Sequence, residues 1–178
     1  MEKLKQSAAE VLRSFHLPHY DQLPTVGLYL EQTVKYVNQC LTPLGCIELT
    51  SSMVRNYVKM GLISKPIQKQ YYADHIAHLI PVTILKQVLP LDKINQLFER
   101  QRAIYQDEVA YNYFCADMEN ILCYMLDLKG SMEKIGQTQS AEKEILHCSL
   151  IAVAHIIFVN ACLDQLKSEE TTKKEGKA

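Results

Sequence analysis

The stretch Ile145–Leu163 is apolar almost all the way round a helix. A helix of that kind has to be buried on more than one side, inside a bundle or across a dimer. Its longest apolar run, Leu150 to Leu163, is interrupted by His155 and Asn160. No stretch therefore approaches the ~18 to 20 apolar residues of a membrane span. Gly130, Gly136 and a Thr138-Gln139-Ser140 capping cluster precede it, so the C-terminal part reads as two long helices, roughly Gln106 to Leu128 and Ser140 to Leu166. The lysine- and threonine-rich tail, residues 171–178, is expected to be disordered.

Upstream the elements are shorter. Glu2 to Phe15 has a helical period, broken by His16-Leu17-Pro18 and Leu23-Pro24. Leu30, Val34, Val37 and Leu41 share one face of a helix over Leu28 to Leu41, which Pro43 and Gly45 end. Thr50-Ser51-Ser52 offers an N-cap hydroxyl to a short helix running to Met60, and Gly61 stands where a left-handed turn closes helices. Leu62 to Tyr72 holds two extended pieces around Pro66 and a polar tip, the pattern of a small β-hairpin. Asp74 starts a helix reaching Val88, with a bend or a new start at Pro81, and Leu91 to Tyr105 forms another.

Charge narrows the function. The net charge is -1, yet Thr50 to Tyr72 carries Arg55, Lys59, Lys65 and Lys69 with no acidic residue, while Gln101 to Glu170 is strongly acidic. A basic segment beside an acidic one points to an anionic partner for the first segment only. With no secretion signal, the six cysteines read as reduced core thiols, and none forms a Cys-x-x-Cys pair that would suggest zinc. No nucleophile elbow, Walker loop or dinucleotide fingerprint occurs, so no enzyme activity and no cofactor is expected.

The order Thr50-Ser51-Ser52-Met53-Val54-Arg55-Asn56-Tyr57, Gly61-Leu62-Ile63, a basic hairpin ending in Tyr71-Tyr72, Asp74-His75-Ile76-Ala77-His78-Leu79 and Leu91-Asp92-Lys93-Ile94 resembles the MerR regulators over about a third of the chain. Leu23-Pro24, Leu28-Tyr29-Leu30-Glu31-Gln32, the Leu49–Lys59 core and Leu85-Lys86-Gln87-Val88 resemble, more specifically, a bacterial family known as the domain of unknown function 1836. The MerR likeness implies a recognition helix over Ser51 to Lys59 that enters the DNA major groove, a wing beside it and two bracing helices. Unlike a MerR protein, the chain inserts Thr42 to Leu49 before that helix.

The expected fold is mainly α: a MerR-like winged helix-turn-helix with a small β-hairpin wing, plus a C-terminal helical bundle. Residues 1–49 would pack on the core, 50–98 form the winged helix and 99–170 a dimerisation region. The candidate DNA-binding residues are Thr50, Ser51, Ser52, Arg55, Asn56, Tyr57, Lys59, Lys65 and Lys69. The three hydroxyls and the free amides at the helix start suit a phosphate at the positive dipole end. Arg55 and Asn56 suit guanine and adenine edges, and the lysines suit phosphates. Tyr57 contacts either the DNA backbone or the protein core.

Other polar and aromatic groups have plainer expected roles. His75 and His78, with Asp74, have a metal-like helical spacing, but a solvated or backbone-bonded role is the simpler expectation. His155 reads as a core histidine or a polar pin at a dimer seam. Asp117 and Glu119 read as a solvated face. Tyr105, Tyr111, Tyr113, Phe114, Met118, Tyr124 and Met125 read as helix packing rather than an effector pocket. The sequence thus leads to a soluble, cytoplasmic, homodimeric transcriptional regulator binding duplex DNA, with any small-molecule effector unidentified. The alternative is a protein-interaction module that keeps the MerR-like shape without DNA binding.

Overall fold

The computed structural model describes residues 15–45, 48–136 and 140–175, the last seven by their backbone. The expected N-terminal helix lies mostly outside these residues. Among them are six α-helices and one two-stranded antiparallel sheet: β1 (Leu28–Tyr29), α1 (Leu30–Leu41), α2 (Ser51–Lys59), β2 (Gln70–Tyr71), α3 (Ala73–Leu85), α4 (Leu91–Arg102), α5 (Asp107–Met125) and α6 (Ala141–Glu175).

The N-terminal arm packs back on α5. Glu119 accepts hydrogen bonds from the Leu17 amide (2.9 Å) and His16 Nδ1 (2.8 Å), and Asn112 Oδ1 accepts from the Tyr20 amide (2.8 Å). The Tyr20 hydroxyl donates to Asp74, a bond that pushes the tyrosine up to about 12. These bonds hold the arm across the seam between α3 and α5.

The small sheet differs from the expected hairpin. β2 pairs with β1, in the register Leu28↔Tyr71 and Tyr29↔Gln70, rather than with a strand at 62–65. Leu62 and Ile63 are instead drawn into the core, 0% and 2% exposed, and each fully buried aliphatic side chain contributes about 1.5–3 kcal/mol. What remains of the hairpin is its tip: Ile67 and Gln70 exchange both backbone hydrogen bonds, at 3.0 and 2.9 Å. Gly27 permits the strand pairing, since a Cβ there would lie 2.8 Å from Gln70 and Tyr72 atoms.

α3 is one continuous helix through Pro81. Ten of its residues, from His75 to Leu85, are buried, so packing on all sides offsets the backbone bond that proline removes. It ends at Leu85, three residues before the expected Val88, and residues 86–88 form a turn leading to Pro90. α4 likewise stops at Arg102 rather than Tyr105.

α5 and α6 pack side by side on α3, and α6 also packs on α4. Leu146, Leu150, Val153, Ala154 and Ile157 bury the inner side of α6, and the Ser140 hydroxyl accepts the Lys143 amide at 3.3 Å as the helix cap. Arg100 Nε and Nη2 both donate to Glu142 Oε1, at 3.0 and 2.7 Å, which ties α4 to the start of α6. The helix runs on to Glu175, into the segment expected to be disordered, since no glycine or proline interrupts it before Gly176. Contrary to expectation, Ala141–Ser168 is long and apolar enough by length and composition to cross a membrane. His155 and Asn160 interrupt the apolar run without lowering its average enough to matter.

Among the described residues the buried side chains form one cluster from Phe15 to Ile157. One polar expectation is overturned, and one of two alternatives for another is removed. Asp117 is only 2% exposed and paired with His147, because the tight α5/α6 packing encloses its side of the helix, while Glu119 binds the N-terminal arm. His155 is exposed, on the outer side of α6, so it is not a core histidine.

Candidate nucleic-acid interface

α2 is anchored on one side and open on the other. Val54 and Tyr57 face inward at 0% and 2% exposure, whereas Ser52, Arg55, Asn56 and Lys59 are exposed. Their spacing of three, four and seven residues places these four on one helical face. Thr50 caps the helix, its Oγ1 accepting the Met53 amide at 3.3 Å and lying 3.1 Å from Ser52 Oγ. Gly61 closes the other end at φ 77°.

Of the two roles left open for Tyr57, a DNA-backbone contact or a core residue, its burial fits the second. It lies three residues from Val54, on the inner side, and burial pushes its hydroxyl up to about 12.

The way α2 is held explains its presentation. Asn38 Nδ2 donates to the Leu49 carbonyl (2.9 Å) and Oδ1 accepts the Leu49 amide (2.8 Å), pinning the connection from α1. Leu49 itself is 1% exposed, so the Thr42–Leu49 insertion ends inside the core. From the far side, Arg102 Nη2 donates to the Leu62 carbonyl at 3.1 Å.

The turn after α2 carries Lys65 and Lys69, both exposed. Gln68 and Lys69 adopt positive φ, 49° and 66°, the geometry of a two-residue hairpin turn that usually takes asparagine and glycine. His75, 4% exposed, braces this turn: Nδ1 accepts the Tyr72 amide (3.0 Å) and Nε2 donates to the Lys65 carbonyl (3.2 Å). His78 Nδ1 donates to the Asp74 carbonyl at 2.8 Å, and Arg102 Nε donates to its Nε2 at 3.4 Å. Both rings are thus engaged with the chain itself.

Between the start of α1, α2 and the turn lies a groove of about 410 Å³ lined by Tyr29, Glu31, Arg55, Pro66, Lys69 and Tyr71. Burial pushes the Tyr71 hydroxyl up, and the positive charge of Arg55 draws it partly back. The structure so brings Arg55 and Lys69 together, with Ser51 one turn away, while Lys59 and Lys65 lie outside the groove lining.

Glu31 is the residue that sequence reasoning missed. Its Oε1 accepts a hydrogen bond from Ser51 Oγ at 2.8 Å, which puts a carboxylate at the start of α2. The packing of α1 on α2, a contact between segments twenty residues apart, brings it there. The seven aromatic and methionine residues considered as an effector pocket do not converge: Tyr111, Phe114 and Met118 are core, Tyr124 is 45% exposed and Tyr113 lines a different groove.

A family model described as "domain of unknown function (DUF1836)" matches residues 18–114. No curated protein and no solved structure matches the chain.

Proposed function

Because the chain belongs to the DUF1836 family, whose description assigns no activity, we propose from the site itself that it is a MerR-like winged helix-turn-helix regulator that binds duplex DNA. The observation that carries this reading is the outward face of α2. Ser52, Arg55, Asn56 and Lys59 project from a helix of nine residues whose other side is fixed in the core. A helix with its side chains is about 10–12 Å across, matching a major groove about 12 Å wide. Arg55 and Asn56 are the base-reading pair, Lys59, Lys65 and Lys69 neutralise phosphate, and the turn at Gln68-Lys69 acts as the wing. α3 and α4 brace both.

A second copy completes the regulator. Val159, Leu163 and Leu166 are 53%, 50% and 44% exposed, at spacings of four and three along the outer side of α6, with His155 on the same side. A homodimer through this stripe would cover it and present two α2 helices to a pseudo-palindromic site. The proposed setting is the cytoplasm, with no enzymatic role.

Glu31 favours a second reading. A carboxylate bonded to Ser51 opposes phosphate at the helix start, which suits a protein-interaction module that has kept the shape and lost the DNA. Selection of bound fragments from a pool of duplexes, followed by Arg55→Ala and Asn56→Ala, separates the two. The regulator loses its selected site in these variants, whereas the interaction module selects no site at all.

A further inference from the structure

A second groove, of about 540 Å³, opens between α5, α6 and the segment 132–136. Its volume lies in the range of small-molecule sites, roughly 300–1,000 Å³. Asp117 stands in its wall, 2% exposed, with both carboxylate oxygens 2.9 and 3.0 Å from His147 Nδ1. Nδ1–H therefore donates to Asp117, and an anionic occupant is held by the imidazolium form, in which Nε2–H is the second donor. A buried carboxylate with a single partner is a poor source of stability, but the hydrogen bond it accepts fixes the orientation of the imidazole beside the groove.

The remaining wall is amphipathic. Lys143 lies one helical turn before His147 on α6, so both reach the groove from the same side. Its ammonium sits 4.9 Å from the Tyr113 ring centroid and 5.3 Å from that of Tyr105. Gly136, at φ 80°, lets the backbone come close to that ammonium, since a Cβ would stand 3.1 Å from Nζ. Tyr113, Met132 and Ile135 supply apolar surface. Of the acidic groups lining the groove, Asp117 is matched by His147 and Glu133 by Lys129 at 3.0 Å, which leaves Glu144 at the exposed side.

We propose that this groove binds a small organic acid, its carboxylate held by His147 and Lys143 and its apolar body laid on Tyr113, Met132 and Ile135. The site is separate from the α2 face, so it stands or falls independently of DNA binding.

The test is calorimetric titration of the full chain with benzoate, phenylacetate and hexanoate, each beside its uncharged amide, at up to millimolar concentration. At least one acid is expected to bind while its amide does not. His147→Gln and Lys143→Met, which remove no core side chain, should each weaken that acid about ten- to a hundredfold, the loss of one charge-assisted hydrogen bond. Glu144→Gln should leave binding equal or tighter, and circular dichroism should show all three variants folded. The proposal is overturned if no acid binds, if an amide binds as well as its acid, or if the folded His147 and Lys143 variants bind as the parent does.

Discussion

The hydroxyl of Ser51 donates a 2.8 Å hydrogen bond to the carboxylate of Glu31, so the first residue of α2 is tied to an acid on α1. The helix start that would greet a phosphate thus carries a negative neighbour. Glu31→Gln keeps an acceptor for Ser51 and removes the charge. Under the regulator reading, it should tighten binding to all duplex sequences alike, by about 0.5–1 kcal/mol at low salt. Fluorescence anisotropy on specific and scrambled duplexes checks this, and weakened binding would show that Glu31 positions the helix instead.

Arg55→Ala and Asn56→Ala should each cost about 1–3 kcal/mol on a selected duplex and little on a scrambled one. Lys65→Ala should weaken both by the same amount and lower the salt dependence. Equal losses on both duplexes for Arg55 would make it a phosphate contact.

Asn38 holds both backbone groups of Leu49, at 2.9 and 2.8 Å, in a half-buried position. Asn38→Ala leaves a donor and an acceptor without partners and should destabilise the fold by about 1–3 kcal/mol in urea denaturation. A loss under half that range would mean that water replaces the side chain.

How far the sequence reached can be judged at particular residues. The helices, the Thr50 cap and the Gly61 turn were legible because period, hydroxyl and glycine are local signals. Arg55, Asn56, Lys59, Lys65 and Lys69 were placed on the surface for the same reason, and they are exposed. Tyr57 was ambiguous, since its type suits either side of a helix. The strand partner of Tyr71, the approach of Glu31 and the burial of Asp117 depend on contacts distant in sequence, at Leu28, Ser51 and His147. No window of residues contains them.

The outer stripe of α6 makes the dimer testable. Leu163→Asp, at a half-exposed position, should leave the protomer folded and shift sedimentation to the monomer. Ile157→Asp should unfold it, because Ile157 is 2% exposed within the protomer and a buried unpaired charge costs several kcal/mol. A Leu163→Asp protein that still sediments as a dimer would remove this stripe from the interface.

His78 predicts a pH dependence of stability. Burial holds its imidazole below the ordinary value of 6.5, against the opposing pull of the Asp74 carbonyl and Asp107, with Arg102 adding to the effect. The unfolded chain then takes up the proton first. Stability should fall as pH drops below about 6.5 and continue falling until the folded imidazole titrates. His78→Gln should flatten that part of the thermal-denaturation profile, and an unchanged slope would assign it to another group.

The most direct measurement is affinity for a pool of genomic duplex fragments across a salt series. Selective retention of some fragments is expected, with log affinity falling by about three per unit of log salt for each copy as Lys59, Lys65 and Lys69 displace counterions. No retention of any fragment at low salt would contradict the regulator reading and leave the interaction module in its place.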